Sequence, residues 1–308
     1  MSLQNASIKV TEFIISGFDT INSPLLVGVV LLLIYVVAVL ANLLNILLII
    51  FDKKLHKPMY LLICNLAVVD LLYSSSASPT MIGVLVIGVK TISYAPCLIQ
   101  MFFFHLAGVM EMFALAVMAF DRLVAISCPF HYHSYLTNTR ILVLTYVAWI
   151  VACAFSAVGP ATAIPLPYCY SVLKYNFCDY AAVIRTTCVD PNYYFNMAAI
   201  MRSLMLIFTF IFICLSYVGI IYFVKLSSKN EKMKMGSTCF NHLIVVTCYY
   251  SPILVISILT RFGVVLTLEA RNGLLIGSIL GPSLVNPFVY SLRTKEIKCK
   301  IIKMFRKG

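Results

Sequence analysis

The sequence predicts an all-α membrane protein, a bundle of seven transmembrane helices followed by a short amphipathic C-terminal helix. Three observations lead to this fold class. The 308-residue chain is 62% hydrophobic and only 11% charged, whereas a soluble domain carries roughly 25% charged residues. It contains seven apolar segments, each close to the roughly 20 residues that cross a bilayer. Its basic residues concentrate in alternate loops, as they do on the cytoplasmic side of membrane proteins.

The first 23 residues form a polar tail before the first apolar segment. Because the tail lacks a basic region followed by an apolar core, we do not expect it to be a cleaved signal peptide. Asn5-Ala6-Ser7 is an acceptor triplet for N-glycosylation, which fits a tail outside the cell. The expected organisation is an extracellular tail over residues 1–23, a membrane domain over 24–292 and a basic cytoplasmic tail over 293–308.

Seven segments are predicted to span the membrane. They are Pro24–Ile50, Pro58–Ile87, Cys97–Ser127, Arg140–Gly159, Phe195–Leu226, Met235–Thr260 and Gly273–Leu292. Several contain proline or polar residues, which neighbouring membrane helices accommodate. The sequence shows no internal repeat, which argues against an inverted-repeat transporter. It also contains no HExxH, GxSxG, Walker-type or CxxC signature, so no enzyme chemistry is expected.

The basic residues predict the orientation of the bundle. The net charge is +12, and 16 of the 23 lysines and arginines lie in or beside three alternate loops and the C-terminal tail. Such an excess marks the cytoplasmic side more often than a nucleic-acid surface. We therefore expect a multi-pass protein of the plasma membrane with its N-terminus outside, and no nucleic-acid partner.

The cysteines agree with that orientation. Cys97 opens the third span, and Cys169, Cys178 and Cys188 lie in the long loop between the fourth and fifth spans. Outside the cell, oxidising conditions permit disulfides. Four cysteines allow three pairings, and two bridges would pin this loop over the mouth of the bundle as a lid.

An acid and an arginine stand side by side at the inner end of the third span. Asp121 and Arg122 follow an apolar run that begins at Cys97. Charges at the edge of the hydrocarbon layer are costly and usually have a function. One reading is a membrane anchor in which the arginine reaches phosphate headgroups. The other is a two-state switch, in which the acid holds the arginine until the helices repack.

Five stretches of the chain together resemble the olfactory receptors of the rhodopsin-like G-protein-coupled receptor superfamily. They are LHKPMY from Leu55, MAFDR from Met118, the pair Ser216-Tyr217, KMGSTCFNHL from Lys234 and NPFVYSLR from Asn286. The resemblance runs from the first span to the tail. Departures from the family pattern are Phe120, Leu123 and Ser127 beside Arg122, and Tyr249-Tyr250-Ser251-Pro252 in place of FYG.

This resemblance implies a rhodopsin-like bundle with specific pairings and roles. It pairs Cys97 with Cys178, which leaves Cys169 with Cys188. It makes Asp121 and Arg122 a switch that faces a G protein when the sixth helix swings outward. The residues expected to share that switch or interface are Tyr217, Lys234, His242 and Tyr290.

Several polar residues fall at mid-membrane depth. They are Asn42, Asp70, Glu111, Ser283 and Asn286. Ionisable residues there usually face the bundle interior. Three readings stay open: protonated carboxyls that act as packing contacts, a proton relay, or an oxygen-rich site for a structural sodium ion. The resemblance favours sodium, formed by Asp70, Glu111, Ser283 and Asn286.

The outer halves of four spans predict a ligand pocket, because small-molecule pockets are mostly apolar with a few polar groups. The alternative for each apolar residue is ordinary helix packing. The candidate residues are Phe104, His105, Gly108, Val109, Met112, Met201, Arg202, Met205, Tyr250, Ile253, Ser257 and Ile279. Arg202 either reaches the outer interface or pairs with Asp179, Asp190 or Glu269, or it lies at the pocket rim and favours acidic ligands.

The resemblance implies an odorant receptor that binds a small odorant from outside and activates the olfactory stimulatory G protein, which raises cyclic AMP. No cofactor beyond the sodium ion is expected. The alternatives are a small-molecule receptor of another tissue and, from another class, a transporter or channel. A receptor predicts ligand-dependent nucleotide exchange on a G protein, whereas a transporter predicts flux in vesicles.

Overall fold

A computed structural model describes residues 7–226, 229–261, 267–293 and 297. Within these residues, seven helices are long and apolar enough to cross a membrane. We call them the first to seventh spans, and they run Pro24–Phe51, Pro58–Ile82, Tyr94–Ser127, Asn138–Ala163, Asn192–Leu226, Lys229–Arg261 and Leu268–Arg293. The predicted fold class, an all-α bundle of seven transmembrane helices, is confirmed. Asn5 and, apart from Ile297, the predicted C-terminal helix lie outside the described residues.

Helix bounds differ most from the predicted spans at the last two helices. The sixth begins at Lys229 rather than Met235, and the seventh at Leu268 rather than Gly273. Hydropathy marks the length of helix inside the hydrocarbon, but a helix continues into water where its residues favour it. The polar turn from Lys229 extends the sixth helix in this way.

Local sequence explains where several helices begin and end. Pro24 and Pro58 stand in the first turn of the first and second spans, where a missing backbone N–H costs nothing. The Thr137 side chain accepts a hydrogen bond from the Arg140 backbone N–H and caps the fourth span. The second span continues as a π-helical turn, Gly83–Ile87, and stops at Gly88, whose φ of 77° is left-handed.

The third span is the central helix of the bundle. It packs against the second, fourth, fifth and sixth spans, and half of its 34 residues are buried. The first and fourth spans instead expose apolar side chains such as Leu26, Leu33 and Val143. In a bilayer these side chains face lipid, which solvates them as an apolar core would.

A small sheet covers the end of the bundle near the start of the third span. Strand β1 (Glu12–Ile15) lies between β2 (Thr91–Ser93) and β3 (Val172–Leu173), antiparallel to β2 and parallel to β3. Phe13 and Ile15 point inward and are buried, while Glu12 and Ile14 are exposed. This alternation is the two-residue period of a strand. The N-terminal segment therefore joins the two loops on this face of the bundle.

Further contacts fasten the N-terminal segment beyond β1. The Asn272 side chain of the seventh span donates to the Gly17 carbonyl at 3.0 Å, and Lys90 pairs with Asp19 at 2.6 Å. Gly17 also donates to the Tyr175 carbonyl at 3.0 Å, and a Cβ at this position would clash with the Tyr175 backbone. The segment predicted to be a polar tail is therefore packed against the bundle over residues 8–21.

Two disulfides pin the long loop between the fourth and fifth spans. They join Cys97 to Cys178 and Cys169 to Cys188, the two pairs that the family resemblance implies. The first ties the loop to the third span, and the second closes a local hairpin within the loop. We call this face, with the sheet and both disulfides, the disulfide end, and the opposite face the Arg122 end.

Peptide mapping under non-reducing conditions should recover one peptide pair joined through Cys97 and Cys178 and another joined through Cys169 and Cys188. Both pairs should separate after reduction. A bridge from Cys97 to Cys169 or Cys188 would contradict this arrangement. Loss of either bridge should lower stability by about 2–5 kcal/mol, because each constrains the unfolded chain.

Candidate functional site

The loop segment around Cys178 forms a lid over the third span. Gln100 accepts a hydrogen bond from the Cys178 backbone N–H at 2.9 Å and donates to Ser76 O and Thr80 Oγ1 of the second span at 2.7 Å each. Phe177 packs on Phe104 with ring centroids 4.7 Å apart. The disulfide and these contacts fix the loop residues beside Cys178 above the bundle.

A polar chain crosses the bundle directly beneath this lid. Arg202 of the fifth span approaches His105 of the third span, with Nη2 3.4 Å from Nδ1. His105 Nε2 lies 3.5 Å from Asp179 Oδ1 in the lid. Arginine only donates, so Nδ1 is the accepting nitrogen and the ring proton stands on Nε2, which lies near the carboxylate without forming a hydrogen bond to it. The arrangement thus runs from guanidinium to imidazole to carboxylate.

Asp179 has a second role at the start of a short helix, Tyr180–Ile184. Its Oδ2 accepts the Ala181 backbone N–H at 3.0 Å, which caps the helix. Asp179 is one of the predicted direct partners of Arg202, but His105 lies between the two side chains. Phe177 was not among the predicted residues. Phe177 and Asp179 are the two neighbours of Cys178 in the sequence. The disulfide between Cys178 and Cys97 was therefore the signal that could have placed these two residues over the third span.

The other predicted pocket residues lie on the third, fifth, sixth and seventh spans of the bundle. Phe104, Val109, Met112, Tyr250 and Ile279 are buried in the bundle core. Met205 and Ile253 pack against that core, and Met201 is partly buried. The structure does not describe the Ser257 side chain.

Two tyrosines of the sixth span tie it to its neighbours at this level. Tyr249 donates to the Gly108 carbonyl of the third span at 2.7 Å. Tyr250 donates to Thr209 Oγ1 of the fifth span at 2.8 Å. Tyr249 was not predicted as a site residue, and Tyr73, which stacks on Phe104 at 5.1 Å, was also missed. The sixth span is therefore joined to the third and fifth spans by one hydrogen bond each from these two tyrosines.

The predicted mid-membrane cluster is assembled. Asn286 Nδ2 lies 3.0 and 3.1 Å from the two carboxylate oxygens of Asp70 and 3.4 Å from Glu111 Oε1. The Ser283 hydroxyl donates to the Asp70 carbonyl at 3.2 Å, and Asn42 Nδ2 donates to the Ser283 carbonyl at 2.9 Å. All five residues are buried. Among the described residues of this cluster, Asn42 Oδ1, Glu111 Oε2 and Asn286 Oδ1 have no hydrogen-bond partner, so three buried oxygens remain available to a cation.

At the Arg122 end, the predicted switch pair is closed. Arg122 Nη2 lies 2.7 Å from Asp121 Oδ2, and the Asp121 carboxylate is fully buried. Tyr132, in the short helix Tyr132–Tyr135 of the following loop, donates to Asp121 Oδ1 at 2.6 Å. Asp121 is therefore held by an ion pair at one carboxylate oxygen and by a hydrogen bond at the other.

Tyr132 was not predicted as a switch residue. Burial, followed by the neighbouring Asp121 carboxylate, raises the pKa of the Tyr132 phenol, so it remains a hydrogen-bond donor at neutral pH. The signal for it was weak, because an aromatic residue eleven positions after Asp121 has no helical relation to it across Pro129. Only the turn of the loop brings the two together.

Tyr217 and His242 link three spans near the Arg122 end. The Tyr217 hydroxyl is 2.9 Å from His242 Nδ1 and 3.0 Å from the Cys239 carbonyl. His242 Nε2 lies 3.2 Å from the Leu115 carbonyl of the third span. The fifth, sixth and third spans are thus joined by polar contacts close to Arg122. Tyr290, also a predicted switch residue, is buried, and the structure does not describe the Lys234 side chain.

Known proteins of one family match this chain over nearly its whole length. The sequence profile of the olfactory receptor family matches residues 31–307. Human olfactory receptor 6N1 is 36% identical over 294 residues, which cover 94% of this chain and 93% of that receptor. Human olfactory receptor 51E2 is 35% identical over 286 residues, covering 91% and 88%. The chain therefore belongs to the olfactory receptor family, whose members are multi-pass membrane receptors rather than enzymes.

Proposed function

We propose that this receptor binds a small odorant beneath its lid and activates the olfactory stimulatory G protein, which raises cyclic AMP. The observation that supports this most is the third span, which has a site at each end. His105 contacts the lid and the fifth span, and Arg122 lies 17 residues later at the opposite end. That separation is roughly 26 Å along a helix, so one rigid element joins the ligand side to the switch.

The proposed orientation places the disulfide end outside the cell and the Arg122 end in the cytoplasm of a plasma-membrane receptor. Disulfides persist in the oxidising exterior. The basic loops at the other end follow the positive-inside rule. A ligand would then reach the lid from outside, and a G protein would meet Arg122 inside.

The proposed mechanism is a population shift. The structure has Arg122 closed on Asp121 and His242 in contact with the third span, which is the resting arrangement expected of the switch. An odorant needs higher affinity for the arrangement in which these contacts open. It does no chemistry. Its binding favours movement of the sixth span, because Tyr249 and Tyr250 join this helix to the third and fifth spans beside the proposed ligand.

A cyclic AMP screen against a broad odorant panel tests this proposal in cells that express the receptor. At least one odorant should raise cyclic AMP in a dose-dependent way, and cells with the empty vector should not respond. Nucleotide exchange on the purified stimulatory G protein should follow the same dose dependence. Substrate flux in receptor vesicles without any nucleotide exchange would instead support a transporter.

We also propose that Asp70, Glu111, Ser283 and Asn286 hold a sodium ion. Two buried carboxylates share one amide donor, and their charges repel unless a cation or a proton offsets them. Carboxylate, hydroxyl and amide oxygens suit a hard cation. The unpartnered Glu111 Oε2 and Asn286 Oδ1 are acceptors that sodium would use.

Sodium should weaken agonist potency, because it would bind where the resting arrangement brings the two carboxylates together. Replacing potassium by sodium at constant ionic strength should lower potency by about fivefold or more, the low end of allosteric couplings. Glu111→Gln keeps the side-chain size, removes one charge and should abolish this ion dependence. Equal potency in both ions would support the protonated-carboxyl reading instead.

Removing the Tyr132 hydroxyl should raise basal cyclic AMP. Tyr132→Phe deletes a 2.6 Å hydrogen bond to Asp121 and loosens the carboxylate that restrains Arg122. A hydrogen bond to a charged group contributes about 1.5–3 kcal/mol, and the partial exposure of Tyr132 reduces this to about 1 kcal/mol, or about fivefold in basal activity. Tyr135→Phe is the matched control, since it removes the same group from an exposed tyrosine of the same short helix. Unchanged basal activity at normal surface expression would show that Tyr132 does not restrain the switch.

A further inference from the structure

An apolar cavity of about 320 Å³ lies between the fifth and sixth spans and is open on one side. This volume lies at the lower end of the range for small-molecule sites, about 300–1,000 Å³. It is separate from the polar chain under the lid, because it lies deeper in the membrane. Among its lining residues are Ile213, Cys214, Tyr217, Val246, Thr247 and Tyr250.

Two sets of hydrogen bonds join the fifth and sixth spans beside the cavity, and the lining continues past Tyr250 to Leu254. Tyr250 donates to Thr209 at the end nearer the lid. Tyr217 contacts the Cys239 carbonyl and His242 at the end nearer Arg122. Thr209 and Tyr217 are eight residues apart, roughly 12 Å along a helix. Between these two fastenings the helices stand apart and leave the cavity.

One side of the cavity opens to the bilayer and the other reaches the core. Cys214, Thr247 and Leu243, which is 44% exposed, lie on the outer surface of two membrane helices. Ile213 and Val246 form the floor and are only 2% and 5% exposed. A molecule from the bilayer therefore enters sideways, without passing the lid.

The lining selects hydrocarbon over water. The Tyr250 hydroxyl donates to Thr209 Oγ1, the Tyr217 hydroxyl to the Cys239 carbonyl, and the Thr247 hydroxyl to the Leu243 carbonyl. A buried water needs two to four polar partners, and the protons of these three hydroxyls are already donated within the protein. An empty apolar space loses the dispersion contacts that a hydrocarbon filling would provide.

We propose that an acyl chain of a bilayer lipid inserts between the fifth and sixth spans and stabilises the resting receptor. The cavity exists while Arg122 is closed on Asp121 at 2.7 Å, and a ligand favours the arrangement that binds it. The acyl chain would contact Tyr250 near the odorant level and Tyr217 near the switch. Its effect on signalling rests on the proposed receptor function, but its binding does not.

Binding is tested with the full receptor in nanodiscs that contain a phospholipid with a photoreactive diazirine at the acyl terminus. After illumination, mass spectrometry should find label on Ile213 and Val246, which lipid reaches only from within the cavity. Leu215, 65% exposed, should be labelled as ordinary lipid-facing surface, and Leu206, buried on the same helix, should not. Label on Leu215 without label on Ile213 or Val246 would overturn the site.

Cys214→Trp tests the same site by filling its mouth, and Leu215→Trp adds the same ring outside it. Cys214→Trp should remove label from Ile213 and Val246, whereas Leu215→Trp should retain it. If Cys214→Trp does not reach the surface, the labelling pattern of the unaltered receptor still decides the proposal. Retained floor labelling in a well-expressed Cys214→Trp receptor would overturn it.

Regulation is tested by nucleotide exchange on the G protein in the same nanodiscs. Because tryptophan replaces the acyl chain permanently, Cys214→Trp should lower basal exchange relative to Leu215→Trp. Equal or higher basal exchange would overturn the stabilisation of the resting state. A receptor that activates no G protein in any variant would instead contradict the proposed function, and the labelling result would stand separately.

Discussion

Replacing Arg122 with alanine should abolish odorant-dependent cyclic AMP formation and leave odorant binding and surface delivery intact. Arg122 is held by Asp121 at 2.7 Å at the end of the third span opposite the lid. Its release would place a guanidinium, with several donors in a fixed fork, where a G protein binds. Because the guanidinium is only 12% exposed at rest, its role lies in the rearranged state.

Three measurements separate this role from that of a membrane anchor. Surface labelling and odorant binding should match the unaltered receptor, whereas cyclic AMP should not rise at any odorant concentration. Arg140→Ala is the matched control, since Arg140 is also a cation at this end but donates to the Ser134 and Tyr135 carbonyls rather than to Asp121. It should retain most signalling. Normal signalling by Arg122→Ala would assign Asp121 and Arg122 to the anchor reading.

The helices were predictable because a bilayer imposes a simple requirement on sequence. A spanning segment needs roughly 20 apolar residues and satisfies its own backbone. The second span illustrates how well this works, since the predicted start at Pro58 and the predicted end at Ile87 coincide with a helix followed by a π-helical turn. The family could be recognised because five motifs stand in order along the chain.

The small sheet was not predicted, although the sequence contains its signal. Glu12, Phe13, Ile14 and Ile15 alternate between exposed and buried positions. Four residues are too few to distinguish a strand from an apolar turn by pattern alone. The strand exists because β2 and β3 offer unpaired backbone groups on both sides of it, and no local property of the tail shows that.

Site residues were predictable where one helix face placed them and unpredictable where a loop did. Asp70 and Glu111 were recognised by their depth, because ionisable groups are rare there. Tyr132 and Phe177 belong to loops, and their partners are set by chain reversals. The cavity between the fifth and sixth spans depends on how two helices separate between Thr209 and Tyr217, which their individual sequences do not specify.

The polar chain under the lid makes Arg202 the residue with the largest expected effect on odorant choice. The distance of 3.4 Å to His105 Nδ1 is longer than a usual hydrogen bond of about 2.7–3.2 Å. The negative charge in this set of polar contacts is Asp179, and the imidazole of His105 lies between it and Arg202. Arg202 is therefore only loosely engaged, and a ligand carboxylate would bind it more strongly through paired, charge-assisted hydrogen bonds.

Arg202→Gln should accordingly weaken responses to acidic odorants by about tenfold or more, since each 1.4 kcal/mol is a factor of ten, and spare neutral odorants. Glutamine keeps much of the bulk and a donor toward His105, so the change removes mainly the charge. Dose–response curves for a carboxylic acid and its methyl ester, at matched surface expression, measure the difference.

Arg185→Gln is the matched control for this prediction. Arg185 is an exposed arginine of the same lid that lies over the Phe195 ring at 5.3 Å, so its replacement removes equal charge from the disulfide end without touching His105. Potency for both odorant classes should then stay nearly unchanged, which would exclude general electrostatic attraction of anions as the cause. Equal loss for the acid and the ester in Arg202→Gln would show that Arg202 supports the lid through His105 and Asp179 and does not select acidic ligands.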